Sequence, residues 1–230
     1  VYKRQGWYDA GDYIKFTLTT AYSAYFLLKS HETAPEIFTL KKMSKTIYTD
    51  LLDEAKHGLD FLMKTFPNDN TFIIQVGGYQ DHQVGSRLPE NDQLDSYREA
   101  YHSFSKTHMG YTAAALALGA KQFKTVDSTL SNQYKKQAIA IFTKAETNGT
   151  VDYAYFKGNN QSAYIPRTGG KIMMPPPTPN SGGTGYATFY ADKGANDNMA
   201  LAAMELYKLT NDESYFCLLY TSDAADEEDS

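Results

Sequence analysis

The sequence predicts an all-α protein. Apolar residues recur at the helical spacing in five separate segments, and no segment shows the convincing alternation of a strand. Of the 230 residues, 42% are hydrophobic and 21% are charged, which is the balance of an ordinary globular domain. Two long, irregular, Gly-rich stretches, 72–105 and 151–195, lie between the periodic segments. We therefore expect helices packed around one core, with functional loops between them.

The first two helices are predicted over residues 18–29 and 50–64, and each has one apolar face. The second also has start and stop signals. Thr49 precedes it in the position of a capping residue, and Pro67 follows shortly after its end.

Three further helices are predicted over residues 109–123, 130–145 and 197–209. The first of these is rich in Ala and Gly, so another backbone can approach it closely, and we interpret it as a packed inner helix. The stretch 151–195 is too aromatic for a solvated linker. We interpret it as an insertion that borders a cleft.

The composition disfavours several function classes. The net charge is -5 and no run of Lys or Arg occurs, which disfavours a nucleic-acid partner. Apolar runs are far shorter than the ~20 residues of a membrane span, so no membrane partner is expected. The single cysteine, Cys217, forms neither an internal disulfide nor a zinc cluster. The 19 Tyr and 12 Phe residues supply flat apolar faces, which suit sugars as well as protein cores.

Candidate chemistry is concentrated in residues 6–16, GWYDAGDYIKF. Asp9 and Asp12 are separated by two small residues. Two carboxylates this close can hold a water molecule, one removing its proton while the other orients it. The same pair could instead ligate calcium or cap the following helix. The spacing alone leaves these alternatives open.

This segment resembles the signature of glycoside hydrolase family 9, in which a Trp-Tyr pair precedes Asp-Ala-Gly-Asp and a Lys-Phe pair follows. Three more regions resemble the same family in the same order: DLLDEAKHGLDFLMK with QVGGYQDH, TAAALALGAKQF, and DNMALAAMELYKLTNDESY. The resemblance covers residues 6–216 and implies a partial (α/α)6 barrel, roughly the first half of its helices. Residues 1–5 and 217–230 resemble translated sequencing-adaptor sequence, and we expect them to be non-native.

The resemblance implies hydrolysis of a β-1,4-linked glucan with inversion and without a cofactor, and the sequence assigns no residues to a structural calcium ion. Asp12 would be the general base, and Asp9 would help to hold the attacking water. Tyr8, His82 and Arg87 would contact the sugar; for Arg87, an ion pair with Glu90 is the alternative.

The general acid of an inverting enzyme lies roughly 6.5 to 9.5 Å from the base. In the family it is a glutamate near the C-terminal end, and no Glu between residues 6 and 216 lies in a matching motif. We therefore expect this chain to be a fragment that lacks the acid and is nearly inactive on its own.

Two departures from the family bear on the substrate. Gln83, Val84 and Gly85 follow the Asp-His pair where cellulases of the family carry tryptophans, and Asn196 stands where many members carry a tyrosine. An exo-acting β-glucosidase or glucosaminidase of the same family therefore remains an alternative, as does a non-catalytic glycan-binding helical protein. The resemblance also implies a secreted or extracellular protein, and we expect a monomer.

Overall fold

The computed structural model describes residues 6–77, 81, 84–92, 100–149, 163–165 and 195–216, of which 102 and 163–165 are described by their backbone alone. This part of the chain contains five complete α-helices and one four-stranded sheet. The helices are α1 (Thr17–Thr33), α2 (Asp50–Thr65), α3 (Lys106–Phe123), α4 (Ser128–Asn148) and α5 (Asn196–Thr210). The strands are β1 (Lys15–Phe16), β2 (Ile73–Val76), β3 (Ala100–His102) and β4 (Ala163–Ile165), and a short 3₁₀ helix covers Pro89–Asn91.

The five predicted helices are confirmed, because each observed helix contains its predicted segment. Several begin at side-chain caps of the expected type. The Thr49 hydroxyl accepts a hydrogen bond from the N–H of Leu52 at the start of α2. The Asp127 carboxylate accepts one from the N–H of Leu130 at the start of α4. These caps satisfy backbone donors that would otherwise lack a partner in the first turn.

The inner position predicted for α3 is confirmed by its burial and its neighbours. It packs against α1, α2, α4 and α5, and almost every residue from Thr107 to Ala120 is buried. A Cβ atom added at Gly110 would lie 2.8 Å from the backbone carbonyl of Asn198 in α5. The small residues of α3 therefore allow a neighbouring backbone to approach within contact distance.

The sequence shows no convincing strand alternation, but the mostly helical structure also contains four short strands. The four strands pair antiparallel in the order β1-β2-β3-β4, with Lys15 opposite Val76 and Ala100 opposite both Val76 and Ile165. They are only two to four residues long, and all four residues of β2 are buried. A strand covered on both faces shows no polar alternation, so the sequence carried no signal for it.

The sheet positions the segment that carries the two aspartates. Residues 6–14 lead directly into β1, and β1 runs without a break into α1. The pairing of β1 with β2 fixes this segment beside Gly77, the residue that follows β2. In the described part of the chain, no helix is long and apolar enough to cross a membrane.

Candidate active site

Asp9 and Asp12 lie in a tight turn, residues 9–14, which we call the aspartate turn. The N–H of Asp9 donates to the carbonyl of Ile14 at 3.0 Å, and the N–H of Ile14 donates to Oδ1 of Asp12 at 3.0 Å. The hydroxyl of Thr19, in the first turn of α1, donates to Oδ1 of Asp9 at 3.2 Å. Both aspartates are partly exposed. Each carboxylate is thus oriented by a hydrogen bond and reachable from solvent.

The alternative that these aspartates cap the following helix is wrong. The N-cap residue of α1 is Phe16, and no side chain makes a capping hydrogen bond there. Asp12 accepts from Ile14 instead, two residues along, which stabilises the turn and not the helix. As for calcium, the described residues contain no group of three or more His, Cys, Asp or Glu side chains that could hold a metal ion.

Two glycines let the aspartate turn pack tightly against its surroundings. A Cβ atom on Gly11 would overlap Oγ of Ser86, so this glycine permits the loop 84–88 to lie against the turn. Gly77 has a φ of +90°, and a Cβ atom there would lie 3.0 Å from Oδ2 of Asp81 and 3.2 Å from Cα of Ile14. The Gly of the Gln-Val-Gly element is therefore required by both backbone conformation and space.

Trp7 anchors the segment before the aspartate turn to the surface of α2. Its indole N–H donates to Glu54 at 2.5 Å, and its six-membered ring covers Gly58, where an added Cβ would lie 2.5 Å from the ring. The tryptophan of the motif is thus an anchor on α2, which leaves the next aromatic residue, Tyr8, to face solvent with 44% of its surface exposed.

Arg87 is held in a buried network of carboxylates. Its guanidinium donates to Asp81 at 2.6 Å, to Asp92 at 2.8 and 3.0 Å, and to the carbonyl of Gly85 at 2.9 Å. Its side chain is 8% exposed. Burial alone would lower the pKa of Arg87, but the hydrogen bonds to the two aspartates outweigh it and raise the pKa above its ordinary value. Arg87 therefore remains charged and fixed in the loop beside the turn.

Sequence reasoning assigned no role to Tyr13 or Lys15, which the structure places at the same site. The Tyr13 hydroxyl donates to the backbone carbonyl of Arg87 at 2.7 Å, and its ring lies 4.7 Å from that of Tyr8. Lys15 is 2% exposed, with Nζ 4.7 Å from the centroid of the Tyr8 ring. A lysine between Ile14 and Phe16 in a buried strand was the one available signal, because lysine is rarely buried without a specific role.

The structure brings four of the five predicted site residues together: Asp9, Asp12, Tyr8 and Arg87. His82 lies outside the described residues. Val84 is 53% exposed in the adjoining loop, and Gly85 has no atom within 4 Å of an added Cβ. Paired, hydrogen-bonded and solvent-accessible carboxylates, with an exposed tyrosine beside them, can activate a water molecule next to a sugar ring.

Comparisons with known proteins identify the family of the chain. The sequence model of glycosyl hydrolase family 9 matches residues 2–229. Endoglucanase 24 of Oryza sativa subsp. japonica is 28% identical over 217 residues, which is 92% of this chain and 34% of the rice protein. Endoglucanase 13 of Arabidopsis thaliana is 30% identical over 215 residues, 91% of this chain and 37% of that protein.

Solved structures show the same likeness. The endoglucanase of the termite Nasutitermes takasagoensis matches with a TM-score of 0.72 and 25% identity, covering 97% of this chain and 45% of that one. The cellulase Cel9M of C. cellulolyticum matches with a TM-score of 0.70 and 25% identity, covering 96% and 45%. The five packed helices are therefore part of an (α/α)6 barrel, and the chain spans about a third of the curated relatives' length. The chain belongs to glycosyl hydrolase family 9.

Proposed function

We propose that the complete protein, of which this chain is a part, hydrolyses a β-1,4-linked glucan with inversion, and that Asp12 is its general base. The observation that carries the proposal is the pair of oriented, partly exposed carboxylates in the aspartate turn. The relatives support the substrate class, because the plant proteins are named endoglucanases and one solved structure of Cel9M is a complex with cellobiose.

In the proposed reaction, a water molecule attacks the anomeric carbon from the face opposite the leaving oxygen. The carboxylate of Asp12, oriented by the N–H of Ile14, removes a proton from this water. The carboxylate of Asp9, oriented by Thr19, accepts a hydrogen bond from the same water and aligns it. A general acid, which we expect to be a glutamate beyond the matched motifs of this chain, lies roughly 6.5 to 9.5 Å from Asp12 and protonates the leaving oxygen.

Exposed aromatic surface beside the turn supports a sugar subsite there. Tyr8 follows Trp7 in the chain and precedes Asp9, and the 44% of its surface that is exposed is available for contact with a sugar. We assign His82 to a hydrogen bond with sugar hydroxyls, because a neutral imidazole ring donates and accepts at once. The family membership also supports a secreted or extracellular protein.

One observation favours a second candidate within the family, an exo-acting β-glucosidase or glucosaminidase. The loop residues Val84 and Gly85 provide no aromatic platform, and Asn196 at the start of α5 is an exposed amide. Fewer stacking surfaces mean fewer sugar rings held along the cleft. Product length separates the candidates, because an exo-acting enzyme releases single sugars from the start of the reaction, whereas an endo-acting enzyme releases longer fragments.

The test uses protein expressed from the complete reading frame, assayed for reducing-sugar release from a panel of β-glucans. Asp12→Asn keeps the shape of the side chain but cannot act as a base, so we expect hydrolysis to fall by about 10²- to 10⁴-fold. Asp69→Asn, at an exposed turn far along the chain, is the matched control. Undiminished hydrolysis by Asp12→Asn would remove the base assignment, and an inactive wild type that binds glycan would favour a non-catalytic binding protein.

A further inference from the structure

Two cations and two tyrosine rings form a continuous stack beside the aspartate turn. Nζ of the buried Lys15 lies 4.7 Å from the centroid of the Tyr8 ring and 5.9 Å from that of Phe61. The Tyr8 and Tyr13 rings are 4.7 Å apart and inclined at 38°. The guanidinium carbon of Arg87 lies 4.6 Å from the centroid of the Tyr13 ring. The order of the stack is therefore Lys15, Tyr8, Tyr13, Arg87.

The positions of the two tyrosines in the sequence connect this stack to the carboxylates. Tyr8 immediately precedes Asp9, and Tyr13 immediately follows Asp12, so the two tyrosines flank the segment that carries the pair. The electron-rich face of each ring attracts a cation, and the attraction is stronger where water is excluded. Lys15 and Arg87 are both largely buried.

The surroundings of Arg87 make it a rigid support for one end of the stack. Four of its five N–H groups donate to Asp81, Asp92 and Gly85, which leaves little capacity for sugar hydroxyls. Its backbone carbonyl also accepts a hydrogen bond from the Tyr13 hydroxyl. At the other end, Lys15 belongs to β1, whose pairing with β2 fixes its backbone.

We propose that Lys15 and Arg87 are positioning residues, which hold Asp9 and Asp12 in place through the Tyr8 and Tyr13 rings. The proposal rests on the proposed function of the aspartate pair. Neither cation needs to contact the substrate. Because a displacement of about 1 Å can cost 10²-fold in rate, loss of either cation lowers kcat, whereas KM changes little.

The test compares Lys15→Met, Arg87→Met and the control Lys124→Met, an exposed lysine, in protein from the complete reading frame. Amide hydrogen exchange over residues 9–14 reports the aspartate turn directly, because two of its amides donate hydrogen bonds within it. We expect exchange there to be at least about tenfold faster in the two stack variants, with protection of α3 unchanged. We also expect kcat to fall by about 10- to 100-fold.

Exchange is measured without substrate, so it decides the proposal even if the wild type proves inactive and the proposed function fails. Unchanged exchange over residues 9–14 in both stack variants would overturn it. If Lys15→Met also loses protection in α3, two variants of the exposed Tyr8 decide instead. Tyr8→Phe keeps the ring and should keep the protection of the turn, whereas Tyr8→Leu should lose it. Equal protection in these two variants would overturn the proposal as well.

Discussion

The close approach of α3 and α5 makes a quantitative prediction about Gly110→Ala. The added Cβ would lie 2.8 Å from backbone atoms of Asn198 and 3.0 Å from the amide nitrogen of Met199. Ordinary contact begins near 3.4 Å, so the two helices must separate by about 0.6 Å at this point. A backbone obstacle cannot rotate away as a side chain can, and overpacking of this kind typically costs about 1–3 kcal/mol.

Two opposing terms set the expected magnitude. Alanine is favoured over glycine inside a helix by about 1 kcal/mol, which offsets part of the overpacking. We therefore expect Gly110→Ala to lower the free energy of unfolding by up to about 2 kcal/mol. Gly119→Ala, in the same helix, is the matched control. Its Cβ would meet Cδ1 of Leu59 at 2.7 Å, and that side chain can rotate, so its stability should remain within about 1 kcal/mol of the wild type.

Urea unfolding followed by far-UV circular dichroism measures both variants. Trp7, the only tryptophan of the chain, gives a second probe by fluorescence, and coincident transitions would support a two-state treatment. If Gly110→Ala is as stable as the wild type, or no less stable than Gly119→Ala, the backbone contact between α3 and α5 is not a tight one and the reasoning fails.

Three further predictions concern the turn and the tyrosines. Gly77→Ala places a side chain at a φ of +90°, so the free energy of unfolding should fall by about 1–3 kcal/mol in urea titrations; no loss would contradict the strain described above. Thr19→Val removes the hydroxyl that orients the first aspartate, so kcat should fall by about tenfold, whereas the exposed Thr33→Val should leave it unchanged. Burial raises the pKa of Tyr48 and Tyr111 to about 12, whereas the pKa of a tyrosine in the unfolded chain is ~10. Between those pH values these two tyrosines lose their protons only in the unfolded state, so they make stability fall as the pH rises and Tyr48→Phe should reduce the slope; an unchanged slope would contradict the raised values.

The helices were predictable because their signals are local. The apolar period and the cap Thr49 lie within a few residues of the turns they stabilise. The small residues of α3 also predicted its inner position, which the contact between Gly110 and Asn198 confirms. The strands were not predictable, because segments of two to four residues are too short to show alternation, and their partners lie far along the chain.

In the candidate site, too, some residues could be predicted from the sequence and others could not. The aspartate pair was recognisable from a contiguous motif, and Tyr8 lies within the same run. The role of Arg87 as a support for Tyr13 could not be recognised from the sequence, because the two residues are 74 positions apart and only the fold brings them together. The role of Lys15 was missed for a similar reason. Lys15 contacts Tyr8 across the aspartate turn, and the sequence alone does not predict the conformation of that turn.

Azide rescue of Asp12→Gly, in protein from the complete reading frame, tests whether Asp12 is the general base. Removing the side chain should lower hydrolysis by about 10²- to 10⁴-fold. Azide is an anionic nucleophile that needs no general base, so it should restore cleavage and yield a glycosyl azide of inverted, α configuration. Cleavage that persists without azide, or a loss that azide does not restore while oligosaccharide binding is retained, would contradict the assignment of Asp12 as the base.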